Sequence, residues 1–452
     1  MQKRFEDILQ ALTDPKRLKL RLFIEGNVIG VLTGLTIALF RYLLEISEAN
    51  LPRLYQFLQE NPAYIPGWFF VLIAIGCILH WLLRMDGMIS GSGIPQIKGV
   101  LMGKMDMHWA RVLLLKFTGA VLGIGAGLSL GREGPSVQLG ACLGQGVGRL
   151  THRSYEENHY LLTAGAGAGL AAAFNAPLAG AIFCLEELTK NFSPYVLMGS
   201  IAATVTATTV TQFFFGMEPV FHMGEIPVVM AGNVYAMLIL LGGFVGVLGL
   251  GFNRMLTISL DSYAKSPLKA WQKPLLPLLA AGVIGFFLPQ ILGGGSPLVD
   301  ALVEHEYAIG FLLLLLTGKF FFTMLCFGSG VPGGIFLPML VLGALGGAIF
   351  AKLAIAAQLM DAQWAVTCIV FGMAAYFSAV VKSPVTGAIL IMEMTGSYQH
   401  LLSLMLVSMT AFLVAEWAGS EPVYDMLLNR SLRLMDRARN YIKESRHNLS
   451  QI

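Results

Sequence analysis

Charge is what this chain has least of. Only 13% of its 452 residues are Asp, Glu, Lys or Arg, where a soluble domain carries about 25%. With 56% hydrophobic residues and a mean hydropathy of +0.68, that shortage excludes a soluble globular protein. Cysteine is scarce too. Cys77, Cys142, Cys184, Cys326 and Cys368 stand singly in apolar surroundings, which argues against a disulfide framework or a thiolate metal site and makes them small core residues. The histidines do not cluster, so neither a metal nor a cofactor is expected. Residues 1–22 are too charged for a secretory signal peptide.

Apolar length and glycine are abundant. Runs at or near the roughly 17–25 residues that cross a bilayer occur at 28–44, 68–83, 202–215, 234–252, 275–287, 309–327, 365–381 and 401–415. The expected fold class is an all-α polytopic membrane protein, with the lipid bilayer as its partner. Its 51 glycines suit close helix packing and interrupted helices. Lys16, Arg17, Lys19 and Arg21 precede the first run, and Arg430, Arg433, Arg437, Arg439, Lys443 and Arg446 follow the last. By the positive-inside bias both termini are expected in the cytoplasm. A solvated juxtamembrane face accounts for the basic tail, so no nucleic-acid partner is expected.

The second half of the chain repeats the first. Matching 165–187 with 372–394, an offset of 207, gives eight identities in 23 positions, among them Pro177/Pro384, Gly180/Gly387 and Glu186/Glu393. Upstream the offset shortens to 203, pairing Lys116 with Lys319, Gly131 with Gly334 and Pro135 with Pro338, and then to 202, pairing Gly93 with Gly295. This drift is that of a duplication with small insertions. The expected division is a cytoplasmic N-terminal helix (1–22), a first membrane repeat (23–216), a connection (217–232), a second repeat (233–432) and a basic cytoplasmic tail (433–452). Broken helices at matching positions of two halves point to a transport site at their interface. Lys116/Lys319 and Glu186/Glu393 occur in both halves and read as structural. Glu133 faces Phe336 and Glu187 faces Met394, so these two acids are asymmetric and read as functional.

Gly131-Arg132-Glu133-Gly134-Pro135 sets an acid between glycines ahead of a proline. Proline suits the first turn of a helix, where no N–H is needed, so the motif predicts a helix beginning inside the membrane. Such a start carries partial positive charge and binds anions. The Glu133 carboxylate is itself able to fill that place until another anion displaces it. Two more breaks of this kind are Gly91-Ser92-Gly93-Ile94-Pro95 and the stretch from Gly328 through Gly334-Ile335-Phe336-Leu337-Pro338. Unwound backbone in a membrane is tolerated only when buried in protein or lining a cavity. Cation paths favour rings of acids, whereas amides and neutral hydroxyls dominate here and favour a weakly held anion. Each residue also has a plainer reading when taken alone. Glu133 is then a capping acid, Ser92 a turn residue and Tyr424 an interfacial anchor. Glu187 is a cap, a partner of Lys190 or a cytoplasm-facing acid, and Arg132 is a structural counter-charge.

These three motifs, in this order, resemble the filter signatures of the CLC chloride channel and transporter family, and the resemblance runs from about the first span to Leu432. It implies a homodimer whose subunits each hold an anion pathway between two inverted repeats of tilted and broken helices. By position it makes Glu133 the external gate and proton acceptor, and Glu187 the internal proton-transfer residue found in the family's exchangers. Chloride-binding residues would be Ser92, Gly93, Gly134, Ile335, Phe336 and Tyr424, with Ser92 and Tyr424 offering hydroxyls and Ile335 and Phe336 backbone N–H groups. A serine at 92 resembles the chloride-preferring members. Gln96 departs from the glutamate common at that position. The short tail after Leu432 leaves no room for a pair of nucleotide-binding regulatory domains. The expected protein is not an enzyme but a chloride–proton exchanger of the prokaryotic type, multi-pass in the inner membrane. The alternative is a passive chloride channel, against which only Glu187 argues. An intramembrane hydrolase using Ser92 or Ser329 lacks a His or Lys placed to pair with either, and a cation–proton exchanger is a third rival.

Overall fold

The computed structural model describes residues 15–224, 226–227 and 232–449. Residues 1–14 of the expected N-terminal helix, parts of the 217–232 connection and the last three residues of the tail lie outside the described residues. The first half comprises α1 (Pro15–Glu60), α2 (Ile65–Met85), α3 (Ile94–Leu101), α4 (Trp109–Gly125), α5 (Glu133–Leu150), α6 (Tyr155–Phe174), α7 (Pro177–Phe183) and α8 (Pro194–Phe215). The second comprises α9 (Gly232–Lys265), α10 (Gln272–Phe287), α11 (Ser296–Glu304), α12 (Ile309–Gly328), α13 (Phe336–Ala356), α14 (Ala365–Val381), α15 (Pro384–Thr395), α16 (Leu401–Trp417) and α17 (Val423–Leu449).

Residues 15–22 are not part of a separate helix but the opening turns of α1, because nothing between Arg17 and Phe23 is a glycine or proline. With 46 residues, α1 is about 69 Å long at 1.5 Å per residue, so its basic start reaches past an apolar layer of roughly 30 Å. Among the described residues, α1, α2, α8, α9, α12, α13, α14 and α16 are long and apolar enough to cross a membrane. The apolar run 275–287 falls on α10, which has only 16 residues. Conversely α13, absent from the sequence-derived runs, is a continuous helix of 21 residues. Its Pro338 sits in the first turn, where no intrahelical N–H is lost. Large apolar side chains such as Phe70, Phe213, Phe287 and Trp417 point outward, a surface that fits lipid and not water.

The two halves are inverted copies, and one contact shows it locally. Gly131 N–H donates to Gly334 O at 2.7 Å and Gly334 N–H to Gly131 O at 2.8 Å, an antiparallel pair. Equivalent residues thus meet running in opposite directions, as a two-fold between inverted halves requires. The buried lysines obey the same symmetry. Lys116 Nζ donates to Ile89 O (2.9 Å) and Gly91 O (2.5 Å), and Lys319 Nζ to Ile291 O (3.0 Å) and Gly293 O (2.7 Å). Each lysine pins the turn before a short broken helix by satisfying carbonyls that the turn leaves over. Tight helix crossings repeat as well. A Cβ on Gly140 would run into Gly165 O, and one on Gly343 into Gly372 O, so only glycine lets these backbones touch.

Glu186 and Glu393 cap each other's half. Glu186 accepts from Val385 N (3.2 Å), Thr386 N (2.7 Å) and Thr386 Oγ1 (2.7 Å) at the start of α15. Glu393, within α15, accepts from Leu178 N (3.1 Å) and Ala179 N (2.8 Å) at the start of α7. These are orphan helix-start donors with no water at hand. Replacing either acid by Ala is expected to destabilise the fold by about 3 kcal/mol or more, since charge-assisted bonds contribute about 1.5–3 kcal/mol each and each acid accepts at least two. Thermal unfolding in detergent should show similar losses for both variants; a loss for only one would contradict the symmetric role.

Candidate functional site

Three interrupted helices begin at one buried point. Helix α3 starts after Gly93, whose φ of +98° only glycine adopts freely. Helix α5 starts at Glu133, with Arg132 as its cap residue, and α13 starts at Phe336, with Ile335 as its cap residue. The chains touch there. A Cβ on Gly134 would meet the Ser92 carbonyl at 2.8 Å, and one on Gly334 would meet Gly134 N at 3.0 Å. Gly93 leans on the Gln138 side chain, whose amide donates to Met88 O at 2.9 Å. Phe336 is walled by Phe377 and Phe174, with ring centroids at 4.7 and 5.3 Å.

Glu133 is fully buried. Its Oε2 accepts from Leu337 N at 3.3 Å, so a carboxylate from one half lies on the first turn of α13 in the other. Its Oε1 has no hydrogen-bond partner, and neither do Ser92 Oγ or Tyr424 Oη, both also buried. Buried polar atoms normally find partners, so three orphaned oxygens around helix starts mark a polar site. Complete burial of the Tyr424 phenol excludes the interfacial-anchor alternative, because an anchor must reach the headgroups. Tyr424 lies within electrostatic range of both Glu133 and Glu187. Arg132 pairs with Glu45 at 3.4 Å. Ser329 donates to Cys326 O at 2.6 Å, a structural bond and not a nucleophile's arrangement.

Glu187 lies on a π-helical turn, Cys184–Thr189, that continues α7. It is 1% exposed, which rules out a cytoplasm-facing side chain. Lys190 is not its partner. Lys98 Nζ donates to Glu187 Oε1 at 2.7 Å and Ser383 Oγ to Glu187 Oε2 at 2.9 Å, whereas Lys190 holds Asp425 at 2.5 Å. A wide π turn swings its carboxylate out of the helical register, toward α3.

A family profile described as voltage gated chloride channel matches residues 71–416. The chain belongs to this family, the CLC proteins. The H(+)/Cl(-) exchange transporter ClcA of Vibrio cholerae is 34% identical over 445 residues, covering 95% of this chain and 93% of that one. The ClcA of Vibrio campbellii is 35% identical over 421 residues, covering 90% and 88%. Among solved structures, a slow cyanobacterial Cl-/H+ antiporter superposes with a TM-score of 0.85 at 32% identity, over 91% of this chain and 98% of that one. A CLC-type fluoride/proton antiporter, at 24% identity and a TM-score of 0.75, shares the fold. The protein is therefore a multi-pass membrane member of a transporter and channel family.

In this CLC protein, sequence reasoning missed the groups that hold Glu187. Ser383 was accessible by the same asymmetry that marked the acids, since it faces Ala176 at the offset of 207. Lys98 was accessible as an ionisable residue inside an apolar stretch; its counterpart at the offset of 202 is Asp300. Asp425, which also pairs with Lys98, left no signal beyond its place after Tyr424. Gln96, where the CLC pattern commonly has glutamate, donates to Ser90 O at 2.8 Å and so ties down its own loop.

Proposed function

We propose that this protein exchanges chloride for protons across the membrane, with Glu133 as external gate and proton acceptor and Glu187 as internal proton-transfer residue. One observation carries the reading: the Glu133 carboxylate sits on the amide of Leu337 in the place an anion would take. Chloride binds among the starts of α3, α5 and α13, near Ser92, Gly93, Gly134 and the amides of Ile335 and Phe336, with the Tyr424 phenol closing the inner side. Helix-start amides hold an anion without a full countercharge, and that weakness lets it leave again. Ionised Glu133 competes with chloride for the amides. Once protonated it loses its charge and the competition, and chloride passes. Proton uptake and chloride entry alter the same occupancy, which is the coupling. Relatives at about a third identity bear the name of H(+)/Cl(-) exchange transporters, and the buried acid Glu187 favours exchange over a passive channel. The same reading makes the protein a homodimer in the inner membrane, its termini on the cytoplasmic side marked by Arg17, Arg21, Arg430 and Arg433.

In proteoliposomes, an imposed chloride gradient is expected to drive protons against their own gradient, and the reversal potential to depend on both ions. A reversal potential set by chloride alone would identify a channel, and an absence of chloride flux would end the proposal.

A further inference from the structure

Beneath Glu187 lies a ladder of alternating charge that runs toward the surface. Lys98 Nζ bonds Glu187 on one side and Asp425 Oδ1 on the other, and the second oxygen of Asp425 holds Lys190. Exposure rises along it, from 2% for the Glu187 side chain and 5% for Lys98 to 27% for Asp425 and 51% for Lys190. The groups facing Glu187 are Lys98 from α3, Tyr424 and Asp425 from α17, the Ser383 hydroxyl ahead of α15, and Lys190 beyond Asp425. Neighbouring Glu186 is engaged on the α15 amides.

A buried ammonium shared by two carboxylates differs from a simple pair. In a pair, neutralising one partner strands the other's charge in low dielectric, which is strongly unfavourable. Here Lys98 keeps an anion when Glu187 takes a proton. We infer that Asp425 is a standby counter-ion for Lys98, and that this sharing allows Glu187 to load and unload a proton while buried. Lys98 and Asp425 are thus positioning residues for the proton step. The inference rests on the exchanger reading for its purpose, but not for its chemistry. Because Asp425 directly follows Tyr424, the two lysines that hold it also fix the turn of α17 carrying the phenol.

The ladder predicts shifts of opposite sign from its two members. Asp425→Asn commits Lys98 to ionised Glu187, so proton uptake there needs a lower pH. Lys98→Met removes the cation that favours the ionised carboxylate, so uptake occurs at higher pH. Each shift is expected to be about one pH unit or more, the size typical of a neighbouring charge. Infrared difference titration of the purified full-length protein reads this directly, with the Glu187 carboxylic acid band assigned by its loss in Glu187→Gln. Opposed shifts, with Lys98→Arg close to wild type, support the ladder. Unshifted midpoints, or shifts of one sign, overturn it. The Asp425 side chain is 27% exposed, so if Lys98→Met does not fold, Asp425→Asn decides alone: a midpoint moved to lower pH supports the ladder, and an unmoved or raised one overturns it. Parallel flux measurements on wild-type vesicles separate the two claims: opposed infrared shifts without chloride-driven proton flux would retain the ladder and sink the exchanger.

Discussion

Glu133→Ala is expected to leave chloride moving while chloride-driven proton transport falls to the level of protein-free vesicles. The wild-type carboxylate lies on Leu337 N at 3.3 Å, at the positive start of α13, where it competes with any other anion. Alanine removes the competitor and the proton acceptor together. The helix starts remain, because Gly131 and Gly334 hold them through backbone bonds of 2.7 and 2.8 Å that involve no side chain. The pH dependence follows in sign. In the wild type, lowering the pH protonates Glu133, frees the amides and speeds chloride; in Glu133→Gln, which mimics the protonated acid, chloride flux should be insensitive to pH. Simultaneous recording with a chloride electrode and a pH electrode checks both. Proton pumping by Glu133→Ala would show that another group accepts the proton.

Glu187→Gln should give the complementary result, with proton flux at background and chloride flux persisting. Glu187, which the proposed exchanger has on the inner side, is bonded to Lys98 and Ser383. Glutamine keeps the size and a hydrogen bond to Ser383 but carries no exchangeable charge. In the proposed exchanger chloride would still meet Ser92, Tyr424 and the amides. The same two-electrode recording decides it: uphill proton movement by Glu187→Gln would remove this residue from the proton path. The two variants are distinguishable from each other, since only loss of Glu133 should abolish the pH response of chloride flux itself.

Sites of this kind are only partly legible along the chain. The three glycine-proline breaks could be read because proline and glycine restrict the backbone locally, and the structure starts α3, α5 and α13 at or next to them. Shared roles for Lys116 and Lys319, and for Glu186 and Glu393, followed from the repeat, and each pair does bind backbone in matching ways. Among the plainer alternatives for Glu187, pairing with Lys190 fails for an instructive reason. Lys190 is three residues away, the spacing of neighbours on an α-helix, but the turn is π-helical and sends the two side chains to different places.

What the sequence by itself determined is therefore what depends on composition and order: a membrane class, a duplication, the places where helices break, and the two acids that the duplication leaves unmatched. Only the tertiary structure decided which amide receives Glu133, 204 residues away, and which ammonium and hydroxyl receive Glu187, 89 and 196 residues away. Where no water competes, a buried polar group must be satisfied by protein, and packing, not spacing along the chain, chooses the partner.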